Sequence, residues 1–87
     1  MMAEALKVSV ISPEKTVFEG AAEQVVAPGW NGEFGILHGH APMLVLLGAG
    51  DVRIRAGSQN HRFRISGGFL QVVDDNVTIL SERAEQG

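Results

Sequence analysis

The sequence contains no cysteine, which excludes disulfide bonds and thiolate zinc sites. No apolar run approaches the roughly 18 residues that a membrane-spanning helix needs, so we expect no direct membrane insertion. Residues 1–6 lack the basic-then-apolar pattern of a signal peptide. The net charge of −3 argues against nucleic acid or an anionic membrane as the main partner. These absences together predict a cytosolic protein.

Short alternating segments dominate what is present. Leu6, Val8 and Val10 alternate with Lys7 and Ser9, which is the period of a half-buried strand. Similar segments follow between turn residues, and no stretch has the 3.6-residue period of a helix. The expected strands cover residues 6–10, 15–19, 23–27, 34–37, 43–47, 51–56, 62–65, 69–73 and 77–82.

This spacing predicts an all-β fold, a two-sheet antiparallel sandwich or flattened barrel of about nine to ten short strands. At 87 residues we expect a single domain over residues 1–87. Its ordered core is expected at about 5–82, because residues 83–87 carry no packing signal and read as a tail.

Two of the expected strands, residues 43–47 and 69–73, are apolar on nearly every position. A strand of a sandwich turns one face to the core and the other to solvent. We therefore expect one face of these strands to be uncovered and to mark a protein interface. The alternative is that a loop or the N-terminal arm covers it.

Four of the five arginines fall on one expected hairpin, at Arg53, Arg55, Arg62 and Arg64. Like charges that face one another across strands are mildly destabilising. Two interpretations stay open at this point: an acidic partner neutralises them, or they form a solvated face with counter-charges such as Asp51 and Glu82.

Imidazoles cluster only at His38 and His40, because His61 lies beside arginines that would repel a cation. Two histidines two apart on a strand share a face and could bind a metal, as in cupins. However, the glutamate that follows in the cupin motif is replaced by Leu44 and Val45. We expect no metal, and His40 reads better as a hydrogen-bonding residue at a corner or a partner contact.

No arrangement of catalytic residues emerges from the sequence. Glu33 has no second carboxylate near it for acid–base work, and no serine is paired with a base. The glycines are spaced too irregularly for a phosphate cradle, and no helix follows them. We predict that the chain is not an enzyme and binds no cofactor.

The stretch from Gly32 to Pro42 reads Gly-Glu-Phe-Gly-Ile-Leu-His-Gly-His-Ala-Pro. It resembles the Gly-Glu-(Leu or Phe)-Gly-Ile-x-x-Gly-His-Ala-Pro run of the epsilon subunit of rotary proton-translocating ATP synthases. The runs at residues 66–68 and Asn76–Leu80 are similar to that family too, so the resemblance covers nearly the whole chain. It implies a β-sandwich of two stacked sheets.

The resemblance also implies a function, that of a non-catalytic central-stalk subunit that couples proton flow to ATP synthesis. It implies contacts with the gamma subunit at His40, Met43 and Val45. Contacts with the proteolipid ring of the membrane are implied at Glu33 and, in the same loop, at Trp30, where the family usually has a small or polar residue. The expected location is peripheral, on the cytoplasmic side of the bacterial inner membrane.

Most bacterial members of that family continue into a C-terminal helical hairpin that can regulate hydrolysis. Because the given sequence stops at Gly87, the expectation is a short form without that hairpin, which couples rotation without regulating it. The alternatives are an unrelated small β-sandwich binding module and the cupin-like metal protein that uses His38 and His40. A single tryptophan and no tyrosine argue against sugar binding by such a module.

Overall fold

The computed structural model describes residues 5–87, so the expectations for a signal peptide and for an N-terminal arm fall largely outside the described residues. Residues 5–87 form ten strands and no helix, and hence no helix that could cross a bilayer. The strands are β1 (Leu6–Ile11), β2 (Thr16–Ala22), β3 (Gln24–Gly29), β4 (Gly32–Leu37), β5 (Met43–Leu47), β6 (Gly50–Ala56), β7 (Gln59–Ile65), β8 (Gly68–Val73), β9 (Asn76–Leu80) and β10 (Ala84–Gln86).

The strands form two sheets that are joined at one corner. The hydrogen-bonded order is β10-β7-β6-β3-β5-β8-β9-β1-β2, and β4 pairs with the remaining edge of β3. The first sheet therefore contains β5, β8, β9, β1 and β2, and the second contains β4, β3, β6, β7 and β10. Their link is short: Gly29 pairs with Leu47, and the Gly48 N–H donates to the Pro28 carbonyl oxygen at 2.8 Å. The predicted all-β sandwich or flattened barrel is confirmed.

One pair of strands departs from the antiparallel prediction. β1 and β9 run parallel, with Val8 opposite Val77 and Val10 opposite Ile79. Hairpins force neighbouring strands to be antiparallel, whereas strands far apart in sequence are free to pair either way. More than sixty residues lie between these two partners, and the pattern within each strand carries no information about direction.

The last residues also differ from the prediction of an unpacked tail. Ala84–Gln86 form β10, which pairs with β7 from Ala84 opposite Ile65 to Gln86 opposite Phe63. The predicted last strand ends earlier, at Leu80, and Ser81 then turns the chain by donating its hydroxyl to the Arg83 carbonyl oxygen at 2.7 Å. β10 is held by backbone hydrogen bonds to β7. Its side chains are mostly polar, so the sequence shows no alternating apolar pattern that would predict a strand here.

The core lies between the two sheets and is built from alternate residues of nearly every strand. Phe63 is the largest side chain that is fully buried. The burial of these aliphatic groups is the main favourable term in folding. The buried core residues are Leu6, Val8, Val10, Ala22, Val25, Ala27, Ile36, Leu47, Val52, Ile54, Phe63, Ile65, Leu70, Val72, Val77 and Ile79.

Gly68 is fixed by its surroundings at the start of β8. Its φ is +134°, and a Cβ at this position would collide with the carbonyl oxygen of Leu80 on the neighbouring strand β9. Only glycine combines this backbone conformation with so close an approach. The glycine at position 68 therefore allows the start of β8 to approach β9 closely.

We predict that Gly68→Ala lowers the free energy of unfolding by about 3 kcal/mol or more, because both the backbone and the Leu80 carbonyl must move. Gly57→Ala is the matched control: its φ is +65°, but nothing lies within 4 Å of the added Cβ. The control should cost only about 1–2 kcal/mol. Urea denaturation measures both, and equal losses would contradict the steric argument.

Candidate interaction surface

An apolar row crosses the outer face of the first sheet. Leu46 of β5 lies opposite Phe69 of β8, Phe69 opposite Leu80 of β9, and Leu80 opposite Ile11 of β1. The exposed fractions are 52% for Leu46, 50% for Phe69 and 48% for Leu80, while Ile11 is half-buried. We call these four residues the apolar stripe. Contiguous apolar surface of this kind marks an interaction site more often than scattered exposed leucines do.

The apolar stripe is extended at one end and bordered by polar residues. Leu44 lies two residues before Leu46 on the same face and is 72% exposed. Its row continues through Gln71 and Thr78, which are polar. At the other border, the stripe residues Ile11, Phe69 and Leu80 line a hollow of about 430 Å³ together with Ser12, Pro13, Gly68, Ser81 and Glu82. An apolar centre with a polar border is the usual make-up of a protein interface.

Met43 and Val45, which the resemblance places toward gamma, lie on the inner face of β5. They pair with the buried residues Val72 and Leu70 and are packed, half-buried, against the core. The exposed positions of this strand are instead Leu44 and Leu46. The sequence predicted an uncovered face correctly, but it could not say which face, since all five positions of β5 are apolar.

The loop that holds the two neighbouring histidines is not a strand. β4 ends at Leu37, and residues 38–39 form a turn. His38 Nδ1 lies 2.9 Å from Asp75 Oδ2, whereas His40 Nδ1 contacts only its neighbour, the Ala41 carbonyl oxygen, at 2.7 Å. His40 thus makes local hydrogen bonds at this corner, while His38 supplies the contact to a distant hairpin, and a partner contact of His40 stays a prediction. Within residues 5–87, no three metal-ligating side chains come together.

The residues expected at the membrane ring lie at the other end of β4. Trp30 is 71% exposed in the two-residue turn between β3 and β4, and Glu33 follows it in the same hairpin. Glu33 Oε1 lies 3.3 Å from Arg53 Nη2. The structure thus brings Trp30 and Glu33 together, and it separates them by the length of a strand from His40.

The arginines cover the outer face of the second sheet and are paired within the chain. Arg53 contacts Glu33, Arg55 contacts Glu23 at 3.6 Å, and Asp51 lies 4.0 Å from Arg62 and 3.5 Å from Arg64. Of the two expected counter-charges Asp51 is confirmed, and in the described residues Glu82 makes no such pair. These exposed pairs contribute little stability, and Asp51 is shared by two of the four arginines.

The structure is thus a small two-sheet sandwich with an exposed apolar stripe on one outer face. Residues 5–87 match the family described as ATP synthase, Delta/Epsilon chain, beta-sandwich domain. The chain belongs to this family.

Curated relatives carry the same family identity. The chain is 45% identical over 82 residues to the ATP synthase epsilon chain of Leptospira borgpetersenii serovar Hardjo-bovis, covering 94% of this chain and 65% of that one. It is 48% identical over 84 residues to the epsilon chain of Nostoc punctiforme, covering 94% and 61%. The chain therefore spans less than two thirds of the length of these relatives.

Solved structures support the fold. A chain of the Euglena gracilis mitochondrial ATP synthase, solved as OSCP/F1/c-ring, superposes with a TM-score of 0.88 at 22% identity, over 94% of this chain and 53% of that one. A chain of the Tetrahymena thermophila mitochondrial ATP synthase central stalk/c-ring superposes with a TM-score of 0.78 at 19% identity, over 91% and 64%. At such identities the likeness concerns the sandwich itself.

We predict opposite behaviour for two neighbouring substitutions in β5. Val45→Asp places a carboxylate against the core and should lower the free energy of unfolding by about 2–3 kcal/mol. Leu46→Asp points to solvent and should change it by less than about 1 kcal/mol. Urea denaturation followed by circular dichroism measures both. A loss for Leu46→Asp as large as that for Val45→Asp would show that the stripe is covered in solution.

Proposed function

We propose that this chain is the sandwich domain of an epsilon subunit in the central stalk of a rotary ATP synthase, where the apolar stripe docks on the gamma subunit. The observation that carries the proposal is the continuous row from Leu46 to Ile11, which has no cover among the described residues. The curated relatives named ATP synthase epsilon chain supply the complex in which such a cover would be found.

The size of the apolar stripe suits such a docking role. Burying a leucine or phenylalanine side chain completely contributes about 1.5–3 kcal/mol. Leu44, Leu46, Phe69 and Leu80 are each about half exposed or more, so together they supply the centre of an interface. Association itself costs several kcal/mol, and polar residues at the border contribute orientation more than affinity. We call β5 the docking strand. Together with β8 and β9 it therefore carries the hot spot of the proposed interface.

The other residues assigned to gamma by resemblance fit around this centre. Met43 and Val45 face inward but are only half-buried, and one edge of β5 has no strand partner before Leu47. A partner that covers Leu44 and Leu46 can therefore also reach them along this edge. His40 lies just before this strand. We propose that the gamma surface extends from the apolar stripe along the open edge of β5 to His40.

The proteolipid ring is the second proposed partner, and it meets the β3–β4 turn, which lies beside Gly48 at the far end of β5 from His40. Trp30 and Glu33 would contact the polar loops of the ring, with Arg53 beside Glu33 to hold its carboxylate in place. The subunit would be non-catalytic and would transmit rotation between the ring and gamma. It would lie peripherally on the cytoplasmic side of a bacterial inner membrane.

We predict that Leu46→Asp weakens binding to the purified gamma subunit at least tenfold, because a buried carboxylate without a partner costs several kcal/mol. Leu37→Asp is the matched control. Leu37 is 56% exposed, much like Leu46 at 52%, but it lies on the outer face of the second sheet. Isothermal titration calorimetry gives both dissociation constants. Unchanged binding by folded Leu46→Asp, or an equal loss in both variants, would show that the stripe is not the gamma surface.

Trp30 provides an independent test of the ring contact, because it is the only tryptophan of the chain. Its emission, taken as the difference between the native chain and Trp30→Phe in the same assembly, should stay unchanged on binding gamma alone. It should move to shorter wavelength when the ring is added, since the indole then leaves water. A complete shift with gamma alone would place Trp30 in the wrong interface.

A further inference from the structure

The loop between β4 and β5 has a demanding task, because it carries the chain from the second sheet to the first in five residues. Residues 38–42 make a single backbone–backbone hydrogen bond of their own within the described chain, from the His40 N–H to the Leu37 carbonyl oxygen at 3.2 Å. Gly39 takes a φ of +84°, and Pro42 has no N–H to donate. Local structure alone therefore holds this loop weakly.

A side chain from a distant hairpin makes up for this weakness. Asp75 uses both of its carboxylate oxygens: Oδ1 accepts the Gly39 N–H at 2.8 Å, and Oδ2 lies 2.9 Å from His38 Nδ1. Hydrogen bonds to a charged acceptor are stronger than those between neutral groups. The two partners are adjacent in sequence, so one carboxylate fixes both the ring of His38 and the peptide that follows it.

Asp75 is itself held firmly in the first sheet. It lies in the two-residue turn between β8 and β9 with a φ of +63°, a conformation that aspartate tolerates better than most residues. Its carbonyl oxygen accepts the Lys7 N–H of β1 at 2.8 Å, and its neighbour Asn76 donates to the Asp74 carbonyl oxygen at 3.1 Å. The carboxylate thus projects from a rigid support.

We infer that Asp75 is a positioning residue that pins the loop at His38 and Gly39 and thereby sets the start of the docking strand β5 before a partner arrives. β5 pairs with β8 on one edge, but on its other edge only Leu47 is paired. The beginning of the strand, which carries the most exposed leucine, Leu44, therefore depends on where the loop delivers it. This inference rests on the proposed docking of gamma to that strand.

Preorganisation of this kind raises affinity, since a surface that is already ordered loses less conformational entropy on binding. Removing the Asp75 side chain should leave the fold intact, because its contacts lie at the molecular surface. The side chain of Asp75 is 30% exposed and that of its partner His38 is 40% exposed. The loop should then move more, and gamma should bind more weakly through a slower association.

The test compares Asp75→Gly with Asp74→Gly in the full chain. Both aspartates lie in the same turn with positive φ, at +63° and +49°, and both changes remove one negative charge. In the described residues only the Asp75 side chain contacts the loop. Asp75→Gly should speed amide hydrogen exchange at Gly39 roughly tenfold, the loss expected for one hydrogen bond. It should weaken binding to purified gamma roughly three- to tenfold, and Asp74→Gly should do neither.

His38→Ala adds a second measurement, because it removes the ring but leaves the bond from Gly39 to Asp75. It should give a smaller effect than Asp75→Gly in both exchange and binding. Equal Gly39 exchange in the two glycine variants would overturn the inference at its first step.

Faster exchange with unchanged gamma binding would also overturn it, and would leave the docking proposal standing if Leu46→Asp still weakens binding at least tenfold. Failure of the native chain to bind gamma would overturn both proposals together. The two failures are therefore distinguishable.

Discussion

Each sheet of a two-sheet sandwich has one face packed on the core and a second face directed outward. The remaining architecture depends on how each sheet deals with its second face. In the second sheet that face carries arginines and carboxylates that pair with one another. In the first sheet it carries leucines and a phenylalanine. The two outer faces are thus unequal: one exposes ion pairs to water, and the other exposes large apolar side chains.

This inequality distinguishes the two outer faces of the domain. The ion pairs on the second sheet are exposed and weak, so this charged face contributes to solubility more than to stability. The apolar stripe on the first sheet reaches from β5 to β1 without a polar interruption. Under the proposed docking, a partner covers the first sheet, and the turn that carries Trp30 lies beside Gly48 at the end of β5.

Most of the fold was readable from the sequence, because alternation and turn residues depend on local patterns. What failed was information that a pattern does not contain. All five residues of β5 are apolar, so the inward positions of Met43 and Val45 were not predictable, whereas in β1 the polar Lys7 and Ser9 showed the outward face at once. β10 was not predicted, because its residues are held by backbone pairing with β7 and show no apolar pattern. The parallel pairing of β1 with β9 depends on topology, not on either strand.

The site shows the same limit more sharply. His40 attracted notice because it belongs to a recognisable run, yet the structure gives the long-range contact to His38, whose partner Asp75 follows 37 residues later. No local pattern links these two residues, because they are brought together only when the loop between β4 and β5 crosses from one sheet to the other. At the other end of β5, the Gly29–Leu47 pairing and the hydrogen bond from Gly48 to Pro28 form the corner at which the two sheets are joined. β5 is therefore held at both ends and along its edge with β8, while its other edge is unpaired before Leu47. Under the proposed docking, it presents Leu44 and Leu46 to a partner in a fixed position.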